Sequence, residues 1–111
     1  MSEIDSAVRE IGATRKYKGY AELVEAIRLV FEIQDHHVRV TKDIYPVLAR
    51  KHQCEMTNIE HNIRNLLEAC WRTNKDDFER IAGCKLLYRP SNSEFLDMIV
   101  TYIMKQRESG S

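Results

Sequence analysis

The chain has 111 residues, of which 43% are hydrophobic, and this length and content are typical of one domain around a modest core. Its 17 basic and 17 acidic side chains cancel, which argues against a protein that binds nucleic acid tightly through a general basic excess. Apolar stretches are short and broken by charge, so we expect no membrane span, no signal peptide and a cytoplasmic location.

The N-terminal third of the chain predicts two helices. Apolar residues at helical spacing from Ile4 predict a first helix that ends at Gly12. A second run of apolar residues with the helical period starts at Tyr20, and it predicts a central core helix that ends near residues 34–37. Residues 38–40 alternate like a strand but have no partner run, so we interpret them as an extended connection.

Residues 41–72 predict two helices joined by a turn, which is the layout of a DNA-binding helix-turn-helix. The first of these helices covers roughly residues 42–52. Pro46 is tolerated only near a helix start, so the regular helix is expected to begin at the proline after a lead-in turn. No glycine marks the turn between the helices, and its path is therefore not predicted.

The second helix of this pair, residues 57–72, is the better specified one. Thr57 and Glu60 form a Thr-x-x-Glu capping box that predicts its start. Its apolar residues share one side, and polar residues form a stripe on another side that is able to read a DNA groove. The stripe consists of Thr57, His61, Arg64 and Glu68, with Asn58 and Asn65 beside it.

The C-terminal third predicts two more helices. The polar cluster of residues 73–77 predicts a loop and the start of a short fifth helix. That helix ends at Gly83, and a connector leads from it to Pro90. Ser91 and Glu94 form a second capping box ahead of the last helix, residues 93–105.

Together these elements predict one all-α domain over residues 1–111, a compact bundle of about six helices that contains the helix-turn-helix. Residues 109–111 are expected to be an appended tail. We find no repeat, no low-complexity tract and no linker that would divide the chain.

No catalytic, metal or cofactor site is expected. Three cysteines without close pairing are typical of reduced thiols. His52 and Cys54, together with His36 and His37, lack the paired spacing of a zinc site, and no cysteine is placed beside a histidine with an orienting group. Because a glycine-rich phosphate loop is also missing from the sequence, we predict a protein that is not an enzyme and has no small-molecule substrate.

Fragments spread in one order along the chain carry a resemblance to a known family. They are Glu10-Ile11-Gly12, Lys18-Gly19-Tyr20, Glu25-Ala26-Ile27, Val40-Thr41-Lys42, Tyr45-Pro46, Ala49-Arg50-Lys51, Glu60, Ile63-Arg64, Glu68, Trp71, Pro90 and Asn92-Ser93-Glu94-Phe95. In this order they resemble the C-terminal DNA-binding domain of the sporulation master regulator, a response regulator of endospore-forming bacteria. The resemblance extends over about residues 4–105.

The resemblance implies a recognition helix that reads bases through an acidic residue and two arginines, at positions that here hold Glu60, His61 and Arg64. Histidine offers fewer donors and less charge than arginine, so we expect an altered or weakened target preference. The residues expected to read bases are Thr57, Glu60, His61, Arg64, Asn65 and Glu68. The residues expected to contact phosphate are Lys42, Arg50, Lys51 and Asn58.

The resemblance also implies partners. The family's regulators carry an N-terminal receiver domain, which we do not expect in this chain. The segment associated with RNA polymerase sigma factor corresponds to residues 71–90 and is several residues shorter here, which puts activation through it in question. A near-neutral domain needs a second half-site for useful affinity, so we expect a weak homodimer on DNA through Val100 and Met104 of the last helix.

The sequence therefore indicates two alternative functions. The first is a sequence-specific transcriptional regulator that binds double-stranded DNA at tandem half-sites, with residues 57–72 in the major groove. The alternative is a protein-interaction module that has lost tight DNA binding and pairs with a full-length relative. Neutral net charge and His61 favour the alternative.

Overall fold

Five α-helices and no strand occur in residues 2–33 and 39–109, the part of the chain that the computed structural model describes. The helices are α1 Glu3–Arg9, α2 Tyr20–Glu32, α3 Tyr45–Lys51, α4 Met56–Ala82 and α5 Asn92–Ser109, with a π-helical turn over Val40–Ile44. The predicted all-α fold is confirmed. No helix in these two ranges combines the length and the apolar content needed to cross a membrane.

The difference from the expected six helices lies in α4, which joins the predicted fourth and fifth helices across a bend at Asn74. This residue has φ −128° and ψ 35°, outside the helical region. Its side-chain Nδ2 donates to the carbonyl of Cys70 at 3.2 Å, the acceptor that the backbone N–H of the same residue serves in a regular helix. A polar cluster that predicted a loop is therefore a bend inside one helix.

Gly12 lies against this bend and has a φ of 89°, the left-handed conformation that favours glycine. A Cβ at Gly12 would come within 2.6 Å of Nδ2 of Asn74. The predicted end of the first helix at Gly12 is wrong by about one turn, because α1 ends at Arg9. The end of α4 is as expected, because Gly83 follows it with a φ of 76°.

The helix ends agree with the sequence at several other points. α2 begins at Tyr20 as predicted, whereas its predicted end near residues 34–37 lies outside the described residues. Arg39 is extended, with φ −107° and ψ 111°, and the rest of the predicted connection is either undescribed or part of the π-helical turn. α3 begins at Tyr45, so Pro46 lies in its first turn. The N–H that proline lacks would have no helical partner at that position.

The Ser91 and Glu94 capping box is confirmed at the start of α5. The backbone N–H of Ser91 donates to Oε1 of Glu94 at 2.9 Å, and the backbone N–H of Glu94 donates to Oγ of Ser91 at 3.1 Å. This reciprocal pair satisfies two donors at the helix start and defines where α5 begins.

α2 is the central helix, since it contacts each of the other four. Edge-to-face packing of Trp71 on Phe78, at 5.4 Å between ring centroids, and contact of Phe78 with Phe95 join the two halves of α4 to α5. The largest fully buried side chains are Phe78, Phe95, Ile11, Leu23, Ile27, Ile44, Leu48, Ile59, Ile63, Leu66, Leu67 and Leu96.

Gly19, immediately before α2, lies directly on the backbone of α4. A Cβ at this position would lie 2.6 Å from the carbonyl carbon of Asn62 and closer still to its oxygen. The φ of Gly19 is an ordinary −87°, so the need for glycine comes from this contact alone. The side-chain amide of Asn62 donates to Oε1 of Glu22 at 3.1 Å, which holds the same two helices together.

We predict that Gly19→Ala destabilises the domain by about 3 kcal/mol, the upper end of the overpacking range, because two backbones must separate. Gly83→Ala serves as the comparison, since a Cβ there meets nothing within 4 Å and only the left-handed φ opposes it. We expect that variant to cost about 1–2 kcal/mol. Urea unfolding of both variants measures the difference, and a Gly19→Ala no less stable than Gly83→Ala would contradict the close contact.

Candidate nucleic-acid interface

α3 and the first half of α4 form the expected helix-turn-helix, and the turn between them covers residues 52–55. Gln53 has a φ of 54°, the left-handed conformation, and it is the only described residue other than glycine with a positive φ. The backbone N–H of Cys54 then donates to the carbonyl of Ala49 at 3.0 Å, which closes the end of α3. The turn contains the left-handed conformation that glycine usually adopts at a helix end, but the residue there is Gln53. The path of this turn was therefore not predictable from the sequence.

The predicted capping box at Thr57 and Glu60 is wrong. α4 begins at Met56, and Glu55 is the residue before it, whose carbonyl accepts the N–H of Asn58 at 3.0 Å. Thr57 therefore already lies in the first helical turn. Glu60 does not return to the helix start because its carboxylate binds a side chain one turn further on.

That partner of Glu60 is Arg64. Nη1 of Arg64 lies 3.1 Å from Oε1 of Glu60, and Nε2 of His61 lies 3.6 Å from Oε2 of the same carboxylate. The three residues predicted to read bases at the centre of the stripe thus form one cluster around a single negative charge. The side chain of Arg64 is 39% exposed, so its guanidinium is held in place and remains accessible.

The remaining residues of the stripe lie along the same helix. Thr57, Asn58 and Asn65 are exposed, whereas Glu68 is partly covered by the connector before α5. Nη2 of Arg89 in that connector lies 3.7 Å from Oε1 of Glu68. Arg89 is a residue that the sequence reasoning missed, since nothing local to it indicates contact with a helix 21 positions earlier.

Lys18 is a second residue that the sequence did not place beside the polar stripe of α4. The loop before α2 shares a hollow with α4 that is lined by Tyr17, Lys18, Gly19, Asn62, Asn65 and Leu66. Lys18 is exposed and borders the same space as Asn65 of the predicted stripe. The fragment Lys18-Gly19-Tyr20 could have indicated this position, because the close contact of Gly19 with α4 brings Lys18 to the same helix.

The predicted phosphate-contacting cations differ in their surroundings. Lys42 and Arg50 are exposed and have no ion-pair partner in the part of the chain that the structure describes. Lys51 lies in an ion pair with Glu25 of α2, with Nζ 2.6 Å from Oε2. The structure therefore leaves two of these cations free for an anion and compensates the third.

Asn92, the first residue of α5, joins both helices of the helix-turn-helix. Its Nδ2 donates to the hydroxyl of Tyr45 at 2.9 Å and to the backbone carbonyl of Glu60 at 3.1 Å. Asn92 is buried, with 8% of its surface exposed. One amide thus connects the start of α3, the second turn of α4 and the start of α5. Burial raises the pKa of Tyr45 above its ordinary value, although the hydrogen bond from Asn92 opposes this.

The two residues expected in a dimer contact have different environments. Met104 is 51% exposed on α5, whereas Val100 is partly buried and packs against the core of its own chain. Only Met104 therefore offers most of its side chain to a partner.

In the described residues no three histidine, cysteine, aspartate or glutamate side chains converge as metal ligands. His36 and His37, two of the four residues weighed as zinc ligands, lie outside the described residues. The free thiols are Cys54, Cys70 and Cys84, and burial raises the pKa of the Cys70 thiol to about 11.

A family model described as "Sporulation initiation factor Spo0A C terminal" matches residues 4–103, which is 100 of the 111 residues. The chain belongs to this family. The Spo0A C-terminal family consists of DNA-binding regulatory domains and not of enzymes. The resemblance inferred from the sequence fragments is therefore confirmed, and the helix-turn-helix described above is the part of the chain in which DNA recognition is expected.

We predict that Asn92→Leu destabilises the domain by about 1–3 kcal/mol, because it removes the donor to the buried Tyr45 hydroxyl and to the partly buried Glu60 carbonyl. The same change at exposed Asn58 is the control and is expected to shift stability by no more than about 0.5 kcal/mol. Thermal unfolding followed by circular dichroism measures both. Equal melting temperatures for the two variants would mean that the Asn92 amide does not hold the helix-turn-helix together.

Proposed function

We propose that this chain is a sequence-specific DNA-binding transcriptional regulator of sporulation that acts in the cytoplasm. The first four turns of α4 enter the major groove, and α3 lies against the phosphate backbone. The observation that carries this proposal is the polar stripe of α4, which starts at the turn after α3 and has an anchored arginine at its centre.

Arg64 is the principal base-reading residue of the proposal. A guanidinium gives two parallel hydrogen bonds to O6 and N7 of guanine, and the carboxylate of Glu60 at 3.1 Å reduces the rotamer freedom lost on binding. Glu60 itself is an acceptor for the amino group of cytosine. His61 occupies a position next to both and supplies fewer donors than an arginine would. The other residues assigned to base reading are Thr57, Asn65 and Glu68.

Phosphate contacts in the proposal come from cations and polar groups around the stripe. Lys42, Arg50, Lys51 and Asn58 are assigned this role, and Lys18 beside Asn65 is added to them. These contacts are few for a domain whose formal net charge is zero. We therefore expect weak sequence-independent affinity and a strong dependence on base contacts and on a second half-site.

A protein-interaction role is the second candidate, and a specific observation favours it. Leu87 and Tyr88, in the connector between α4 and α5, are 95% and 68% exposed. Exposed apolar side chains of this size are common in protein contact surfaces. The connector lies in the segment that the family associates with sigma factor, so a sigma factor or a full-length relative are the partners to consider.

Selection from a randomised duplex pool, at low and at moderate salt, separates the two candidates. A regulator enriches a consensus at both salt concentrations. A module without DNA specificity enriches none, and its affinity for all duplexes falls together as salt rises.

We predict that Arg64→Ala lowers the preference for the selected consensus by about 1–3 kcal/mol at one base pair, because a two-bond contact to guanine is lost. Arg50→Ala should instead weaken binding to all duplexes and reduce the salt slope by about one unit, as expected for a phosphate contact. Anisotropy titrations with the consensus and a scrambled duplex measure both effects. If Arg64→Ala leaves the ratio of the two affinities unchanged, the stripe is not the reading surface.

We predict cooperative binding to two tandem half-sites that depends on the exposed side of α5. The double variant Val100→Glu with Met104→Glu should abolish cooperativity and leave binding to a single half-site nearly intact, since charged side chains oppose an apolar contact. Met104→Glu alone is the cleaner variant because Val100 also packs on its own core. Gln106→Glu is the control, because Gln106 is exposed and lies on the opposite side of the same helix from Met104. Cooperativity that survives the Met104 and double variants would place the contact elsewhere.

A further inference from the structure

Glu25 of α2 contacts two side chains at the end of α3, Lys51 and His52. Oε2 of Glu25 lies 2.6 Å from Nζ of Lys51, and Oε1 lies 3.1 Å from Nε2 of His52. The Glu25 side chain is only 16% exposed, whereas that of Lys51 is 64% exposed. The mostly buried carboxylate of Glu25 is therefore paired with the exposed ammonium group of Lys51, beside the turn of the helix-turn-helix.

The carboxylate of Glu25 is ionised at neutral pH. Burial raises its pKa, but the hydrogen bond from Lys51 and the charges of His52 and Lys51 outweigh burial and hold the pKa below its ordinary value. The hollow beside this cluster contains one further cation, Arg28, and one further carboxylate, Glu32, whose charges offset each other. The negative charge of Glu25 is thus the charge that acts on Lys51 at closest range.

We propose that Glu25 competes with DNA phosphate for Lys51 and so lowers the affinity of the domain for every duplex. The inference rests on the proposed function, in which Lys51 contacts phosphate. A phosphate that approaches Nζ must either displace the carboxylate or come to lie beside it, and like charges at that distance repel each other. Sequence-independent binding consists almost entirely of such phosphate contacts, so Glu25 lowers it.

The same loss applies to specific and non-specific complexes, because Lys51 contacts phosphate in both. Glu25 therefore leaves the ratio of the two affinities unchanged and lowers both, so that only a duplex that also receives the base contacts of α4 is bound at useful affinity. The Glu60 and Arg64 pair differs from this arrangement in the DNA group that it is proposed to meet. The guanine acceptors are neutral, whereas phosphate carries a negative charge that a neighbouring carboxylate repels.

The test compares Glu25→Gln with the unchanged protein on a scrambled duplex over a range of salt concentrations. Glutamine keeps the shape and removes the charge, so we expect several-fold tighter non-specific binding and a salt slope steeper by about 0.9, the value for one added phosphate contact. The ratio of consensus to scrambled affinity should stay the same, because a phosphate contact adds equally to both. Combining Glu25→Gln with Lys51→Ala should remove the gain, which assigns it to this pair.

Glu3→Gln is the matched control. Glu3 pairs with Arg107 at 2.9 Å between α1 and α5, so this variant makes the same change in net charge outside the helix-turn-helix. We expect it to leave the salt slope unchanged. Circular dichroism spectra and melting temperatures of each variant establish that the domain remains folded.

The outcomes separate this inference from the proposed function. If the protein selects a consensus but Glu25→Gln binds no tighter than Glu3→Gln, or binds more weakly, the competition is overturned and the regulator stands. Weaker binding would mean that Glu25 positions Lys51 for phosphate. If neither the unchanged protein nor Glu25→Gln binds any duplex at low salt, both the regulator and the competition are overturned.

Discussion

The side-chain amide of Asn92 is the interaction on which the geometry of the helix-turn-helix depends. It joins Tyr45, at the start of α3, to the Glu60 carbonyl in α4. Hydrogen bonds in a buried site cost more to leave unmade than they contribute when made, so such a link favours one relative arrangement of the helices. The Glu60 residue whose carbonyl accepts from Asn92 also holds Arg64 with its side chain. The position of Arg64, which we propose as a base-reading residue, is thus linked to the helix that follows it in the chain.

α4 is held from a second direction by the start of α2. Gly19 allows the two backbones to touch at Asn62, and the Asn62 amide is bonded to Glu22. Glu25 of α2 contacts Lys51 and His52 at the end of α3. α2 therefore both supports α4 and compensates the charge of Lys51. A change in α2 is expected to alter the stability of the helix-turn-helix and the charge of its surface together.

Several features encoded within one turn of the chain were predictable, although the capping box at Thr57 and Glu60 was predicted wrongly. Features that depend on distant residues were not predictable. The start of α2 at Tyr20, the box of Ser91 and Glu94 and the stop at Gly83 follow from local propensity. The left-handed Gln53 was not predictable, because the residue type does not favour it and the surrounding packing must impose it. The ion pair of Lys51 with Glu25 joins residues 26 positions apart and left no local pattern. The family was identified correctly because many weak fragments occurred in one order.

The continuous course of α4 limits how chain length can vary among relatives. Each residue of an α-helix advances the chain by about 100° of rotation. A single residue inserted or deleted at the bend near Asn74 would therefore turn Phe78 away from Trp71 and Phe95 and out of the core. The segment from Cys70 to Phe78 is expected to keep a constant length, although it resembles a loop in composition. Length changes between the helix-turn-helix and α5 are instead expected after Gly83, where the exposed connector absorbs them without rotating a buried side chain.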